Sequence, residues 1–172
     1  MPRFLDPQPL GADHRINGFE CGVGSLDVWL VKHARAAFGA GSARTYVVID
    51  AEQERVVGYH ALSVASIEHE VATDRARKGM PGHQIPAMLL ARLAVDTSVQ
   101  GRGIGAFLLR DAMSRALSVA EQAAVRILLV HALDDDARRF YEHFGFEPSP
   151  SDPMNLQIIM KDVRAALDSA AK

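Results

Sequence analysis

The sequence predicts an α/β (α+β layered) domain built on a mixed central sheet. Three observations carry this. The apolar run Leu89–Val95 ends in a glycine-punctuated loop, and that loop opens a helix with an amphipathic pattern. Two β-rich runs, Thr45–Ile49 and Val56–Val64, are joined by the polar link Asp50–Arg55 and read as an antiparallel hairpin. After the long helix comes Arg126–Ala132, whose continuous apolar character suits a strand covered on both faces. Strand, loop, helix and strand then form a right-handed parallel crossover beside the hairpin.

In chain order, Phe4–Gly24 is turn-rich. Ser25 stands where a helix cap would, with Asp27 in the first turn and Leu26, Trp29, Leu30 and His33/Ala34 on one face. That helix fades at Gly39–Ser42, and the hairpin follows. Glu70–Gln84 is a polar connection holding Arg75, Arg77 and Lys78, and long ordered connections of this kind are often functional. Ala87–Asp96 forms the strand before the glycine loop, and Gly103 to Glu121 the helix after it. Asp134 or Asp135 caps a short helix, Ala137–Phe144, which stops at Gly145. Leu156–Met160 is a last strand and Val163–Ala171 a tail helix, with no repeat and no linker.

At 172 residues, with 48% hydrophobic and 23% charged residues, the chain reads as one soluble globular domain with a full core. No apolar run approaches the ~20 residues of a membrane span, and no basic-then-apolar leader opens the chain. A single cysteine, Cys21, excludes an intramolecular disulfide framework and reads as a packing residue. The expected setting is the cytoplasm. Net charge is −2, against a general nucleic-acid binder, but the charge is unevenly spread. Residues 1–74 hold 6 basic and 10 acidic groups, whereas residues 75–115 hold 7 basic and 2 acidic. A basic middle in an acidic chain points to a local site for a polyanion. No His/Cys/Asp cluster has metal-ligand spacing, and His60 and His131 read as buried structural histidines.

Gly101, Gly103 and Gly105 let backbone N–H groups converge without Cβ interference, and the helix that follows adds its own unpaired N–H groups. Such a loop is built to hold an anion such as a phosphate. It is not a Walker loop, because Ala106-Phe107 replaces the required Lys-Ser/Thr. Nor does Gly101-Arg102-Gly103-Ile104-Gly105-Ala106 keep the final spacing of a dinucleotide fingerprint.

What the loop does match is Gln/Arg-x-x-Gly-x-Gly/Ala, as Gln100-Gly101-Arg102-Gly103-Ile104-Gly105. Downstream, after the buried strand, Ala137-Arg138-Arg139-Phe140-Tyr141-Glu142-His143-Phe144-Gly145-Phe146 matches A-x-x-F-Y-x-x-x-G-F. Together these resemble the GNAT acetyltransferase superfamily over roughly residues 20–162. That implies a mixed sheet with helices on both faces and acetyl-CoA as co-substrate. Further stretches resemble the GNAT toxins of toxin–antitoxin pairs: Phe19-Glu20-Cys21-Gly22, Ser25-Leu26-Asp27-x-Trp29-Leu30, Ala43–Val48, Val57–Leu62, Leu90–Asp96 and Leu129–Ala132. Members of that group acetylate the α-amine of aminoacyl-tRNA and block translation.

The resemblance implies the following roles. Gln100, Gly101, Arg102, Gly103, Ile104, Gly105 and Ala106 hold the coenzyme pyrophosphate. The backbone of Leu93, Ala94 and Val95 pairs with the pantetheine arm and polarises the thioester carbonyl. Tyr141 is the general acid toward the leaving thiolate, while Phe140 points the other way into the core. No general base is evident. Asp96 is a candidate that reads better as a brace for the loop, and an α-amine, with a pKa of ~7.7–8.0, is partly neutral without help. Arg77, Lys78 and Arg92 are the first candidates for tRNA phosphates, with Arg75, Lys32, Arg35 and Arg44 beside them. The expected partners are aminoacyl-tRNA, a ribbon-helix-helix antitoxin and a second copy of the chain in a homodimer. The alternative activity is N-acetylation of a small amine or a protein N-terminus.

Overall fold

The structure, a computed structural model, describes residues 3–171. Seven strands form one mixed sheet in the order β1-β2-β3-β4-β5-β7-β6. They are β1 (Gln8–Pro9), β2 (Arg44–Asp50), β3 (Arg55–Ile67), β4 (Ile85–Val95), β5 (Ile127–His131), β6 (Glu147–Pro148) and β7 (Asn155–Ile159). The helices are α1 (Gly24–Lys32), α2 (Ala34–Ala40), α3 (Asp74–Arg77), α4 (Ile104–Gln122), α5 (Asp135–His143) and α6 (Met160–Ala170). The hairpin and the parallel β4–β5 pair stand as the sequence predicts, whereas the two-residue strands β1 and β6 carry too little pattern to be seen in it. Among the described residues no helix is long and apolar enough to cross a membrane.

By contact the chain divides into two units: residues up to Ser63 with Ala91–Ala112, and Val64–Leu90 with the residues from Met113 onward.

In the first unit, β2 and β3 pair antiparallel from Arg44↔Leu62 to Asp50↔Arg55. The register jumps between Val48↔Gly58 and Ile49↔Val56, which leaves Val57 as the extra residue of a bulge. That residue resets the alternation of β3. Val47, Val56, Tyr59 and Ala94 pack with Leu30 and Trp29 of α1, while Val48, Val57, Leu93 and Val95 pack with Ile104 and Leu108 of α4. Helices therefore cover both faces of this part of the sheet. At Gly58 α4 packs close: a Cβ built there would lie 3.0 Å from Leu108 Cδ1 and 3.2 Å from Ile104 Cγ2.

The N-terminal helix departs from expectation. Val23, not Ser25, is the N-cap residue, and no side chain caps the helix. The Asp27 carboxylate instead reaches back to accept from Cys21 N–H at 2.9 Å, holding the turn before α1. At His33 the helix breaks, and α2 starts afresh and ends on Gly41 in a left-handed conformation.

In the second unit, β4 runs parallel to β5 over Ala87–Leu90, and β7 pairs antiparallel with β5. Ile85, Ala87, Ile127 and Leu129 form the core with Ala72 and Ala76. The polar connection before β4 is not irregular. It holds a short 3-10 turn, His69–Val71, and α3, whose Thr73 cap accepts from Ala76 N–H at 3.2 Å. Buried Gln157 fixes the connection, donating to the Val71 carbonyl at 2.8 Å and accepting from Thr73 N–H at 3.1 Å. Asp134 caps α5 through Ala137 N–H at 2.8 Å, one of the two residues the sequence offered for that place.

Replacing Gly58 with valine should cost about 1–3 kcal/mol, because the added methyls meet the close-packed face of α4. Urea unfolding of Gly58→Val against the parent chain measures it.

Candidate active site

Asp96 ends the strand that leads into the glycine loop. Its carboxylate is buried and accepts from Glu20 N–H (3.1 Å), Ser98 N–H (3.0 Å), Ser98 Oγ (2.6 Å) and the Arg55 guanidinium (3.1 Å). Burial works to raise its pKa, but the donors prevail and hold it down at about 2. A group that acidic is no general base near neutral pH, so Asp96 is the loop brace. Gln100 completes the brace. Its side-chain amide donates to the carbonyls of Cys21 (3.0 Å) and Val95 (2.9 Å), so it stiffens the loop and is not free for a ligand.

Above this base, Gly101 (φ 78°) and Gly103 (φ 81°) sit in the left-handed region with open space where a side chain would be. Phe107 N–H pairs with the Gly103 carbonyl at 3.0 Å as the first turn of α4 closes. The amides of Ile104, Gly105 and Ala106 precede it, where helix geometry offers no intrahelical acceptor. With Arg102 exposed on the loop, this is a nest of backbone donors suited to a phosphate. The β4–β5 register ends at Leu90↔Val130, and β4 continues through Leu93, Ala94 and Val95 past that last pair.

On the α1 face of β4, the Arg92 guanidinium lies 4.2 Å from the centroid of the Trp29 ring. Trp29 stacks on Tyr59 at 5.9 Å, Phe19 meets Tyr59 edge-on, and the Tyr59 hydroxyl donates to the Leu26 carbonyl at 2.7 Å. Burial pushes the Tyr59 phenol well above its usual range, against the opposing pull of the Arg92 charge. Cys21 is buried here too. Burial and the Asp27 carboxylate raise its thiol to about 11, so it stays a protonated packing group.

In the second unit, Tyr141 on α5 is buried, edge-on to Phe140 (5.2 Å) and Phe146 (5.6 Å). Against expectation Phe140 does not enter the core: it is half-buried against Phe144, and Tyr141 is the more deeply buried ring of the pair. Burial pushes the Tyr141 phenol far above its usual range, which keeps it protonated, a donor, throughout neutral pH. His131 is exposed and bonded to the Asn155 side chain, not buried, because it ends its strand. His60 is fully buried and bonded to Asp111 at 2.7 Å, as a structural histidine should be.

The basic residues separate by partner. Arg75 is held by Asp162 and Glu147, and Arg77 by Asp74. Arg35 donates to the carbonyls of Gly11 and His14, and Arg44 lies over Phe38. Arg126, which sequence reasoning overlooked, spends its guanidinium on the carbonyls of Arg75, Ala76 and Lys78 and so shapes the segment that bears Arg77 and Lys78. Nothing local in the sequence marks it. Lys78 is exposed. Among the described residues no group of three His, Cys, Asp or Glu side chains is placed to hold a metal ion.

A donor nest on a braced loop, placed between a strand that outruns its neighbour and a helix start, is the site layout of acetyl-CoA-dependent acetyltransferases. The Acetyltransferase (GNAT) domain family matches residues 41–148, and the chain belongs to that family. It is similar to the tRNA-acetylating toxin of Mycobacterium tuberculosis strain H37Rv, with 43% identity over 167 residues covering 97% of this chain and 99% of that protein. Among solved structures it is similar to AtaT complexed with acetyl-methionyl-tRNAfMet, at TM-score 0.87 and 27% identity over 95% of this chain and 98% of that one. It is also similar to a tyrosine-to-phenylalanine mutant of AtaT bound to acetyl-CoA and the C-terminus of the antitoxin AtaR, at TM-score 0.80 and 27% identity over 94% and 96%.

Asp96→Asn keeps the shape and removes the charge. The folded pKa of about 2 lies below the ordinary ~3.9 of an unfolded aspartate, so the ionised group stabilises the fold above pH ~4 and that benefit fades as pH falls toward 2. Denaturation at pH 7 should find Asp96→Asn about 2 kcal/mol less stable, with the gap closing between pH 4 and 2.

Proposed function

We propose that this chain transfers acetyl from acetyl-CoA to the α-amine of the amino acid on charged tRNA, and so acts as a translation-blocking toxin. The observation that carries the reading is the braced donor loop, whose amides stand unpaired above a rigid base, taken with the 43% identity to a tRNA-acetylating toxin over nearly the whole chain. The residues present fit the coenzyme. Gly101, Arg102 and Gly103 with the amides of Ile104, Gly105 and Ala106 receive the pyrophosphate, and Gln100 serves by bracing them. The backbone of Leu93, Ala94 and Val95, beyond the β5 register, is available to pair with the pantetheine arm and to donate to the thioester carbonyl.

The thioester supplies an activated acetyl group, and the chain's task is to position the amine and manage protons. Tyr141 is the donor to the departing sulfur. Its raised pKa, against ~8.5 for a cysteine-like thiol, favours a shared hydrogen bond over early loss of the proton. The amine needs no strong base: at pKa ~7.7–8.0 it is partly neutral near pH 7, whereas a lysine amine at ~10.4 is not. With Asp96 spent as a brace, this favours an aminoacyl acceptor over a lysine side chain. Arg77, Lys78 and Arg92 contact the tRNA backbone. A ribbon-helix-helix antitoxin and a homodimeric state complete the proposal, and the action belongs in the cytoplasm, where charged tRNA is.

Labelled acetyl-CoA offered to charged tRNA, deacylated tRNA and a peptide mixture should label charged tRNA alone. Tyr141→Phe should lower turnover about 10²-fold or more while acetyl-CoA affinity is kept. Label on peptides or small amines alone would overturn the tRNA reading and leave an acetyltransferase of another acceptor.

A further inference from the structure

Arg92, like Arg44 over Phe38, meets an aromatic ring. Arg55, Arg75, Arg77, Arg138, Arg139 and Arg164 each meet a carboxylate. Arg92 is half-buried, its aromatic partner is Trp29, and among the described residues no carboxylate lies within 4 Å of its guanidinium. Burying part of a guanidinium without an anion is costly, and stacking on indole offsets only part of that cost. The indole ring lies against the guanidinium carbon, and no hydrogen bond to a described residue engages the guanidinium N–H groups, which are available for bidentate contact with an oxyanion. Trp29 is itself clamped by Tyr59, whose hydroxyl is tied to the Leu26 carbonyl, so the cation is held in place before a ligand arrives.

The position along β4 says which anion. Arg92 and Ala94 lie on the α1 face, with Leu93 and Val95 on the α4 face. Successive strand residues rise ~3.3 Å, so Arg92 is within about two residues' rise of the amides assigned to the thioester carbonyl. An anion it binds must therefore lie close to the reacting amine. On a charged tRNA one ribose separates the aminoacyl ester from the nearest phosphate, the 5′-phosphate of the terminal nucleotide.

We infer that Arg92, positioned by Trp29, forms a subsite for the 5′-phosphate of the acceptor's terminal nucleotide, and that this contact places the α-amine for transfer. The inference rests on the aminoacyl-tRNA reading and deepens it. Arg92 is a binding residue, and Trp29 is a positioning residue that acts through it.

The test uses two hydrolysis-resistant acceptors, 3′-aminoacylamido-3′-deoxyadenosine with and without a 5′-phosphate, beside charged tRNA. The parent chain should acetylate both, with kcat/KM at least about 10-fold higher for the phosphorylated one. Arg92→Met should erase the difference, chiefly by raising KM for the phosphorylated acceptor, and leave KM for acetyl-CoA unmoved. Trp29→Leu should shrink the difference, and Trp29→Phe should restore most of it, a rescue that a purely structural role would not confine to the phosphorylated substrate. Equal use of both acceptors, or acetylation of charged tRNA but of neither analogue, overturns the subsite. A rise in KM for acetyl-CoA in Arg92→Met also overturns it and assigns the cation to the coenzyme. If charged tRNA itself is not acetylated, the parent reading fails, and the subsite with it.

Discussion

The Asp96 carboxylate is the contact on which the rest of the site's geometry depends. It joins the segment before α1 through Glu20, the start of β3 through Arg55, and the turn after β4 through Ser98. Four donors on one buried carboxylate repay its desolvation and leave it strongly ionised. Gln100, four residues on, then ties the same turn to Cys21 and Val95. The glycine loop rises from this base with its amides unspent. Unpaired amides are costly to keep pointing together, and a rigid base lets them do so before a ligand arrives, which is what preorganised electrostatic binding requires.

The basic middle of the chain is a second case in which geometry redistributes what charge counting lumps together. Arg75 is held by acids that folding brings to it, whereas Arg77 makes a pair with the exposed Asp74 three residues earlier, which leaves its charge open to a polyanion. Arg126 serves as a backbone clamp, satisfying the carbonyls at the end of α3. Beside these, Lys78, Arg102 and Arg110 are exposed and Arg92 is half-buried. The count of 7 basic against 2 acidic residues over 75–115 thus covers different settings, with Arg75 paired to acids by folding and several other cations left exposed.

The buried phenol of Tyr141 and the protonated thiol of Cys21 show burial acting the same way on two acids with different prospects. Both are held neutral. A neutral phenol in a signature element is a useful hydrogen-bond donor, whereas a neutral thiol is a poor nucleophile. The absence of a free carboxylate at the end of β4 is equally informative, since Asp96 is the acid there and it is committed.

The sequence by itself determined the order of elements, the hairpin, the parallel pair and the two signatures around Gln100 and Tyr141, because periodicity, turn chemistry and short motifs are local properties. It also placed Asp96 as a brace, since an acid at a strand end before a turn is a cap by its own chemistry. Tertiary structure decided the rest. Val57 became a bulge because β2 and β3 had to present faces to both α1 and α4, and a one-residue slip is invisible until the partner register exists. Ser25 lost the cap because the helix starts at Gly24 after Val23, which puts Ser25 inside the first turn, while the Asp27 carboxylate holds the preceding turn through Cys21 N–H. Phe140 stayed half-buried and Tyr141 became the more deeply buried ring, a matter of one step around a helix whose neighbours the sequence does not name. Arg92 and Trp29 lie sixty-odd residues apart, and only their meeting across α1 and β4 makes a stacked cation of them.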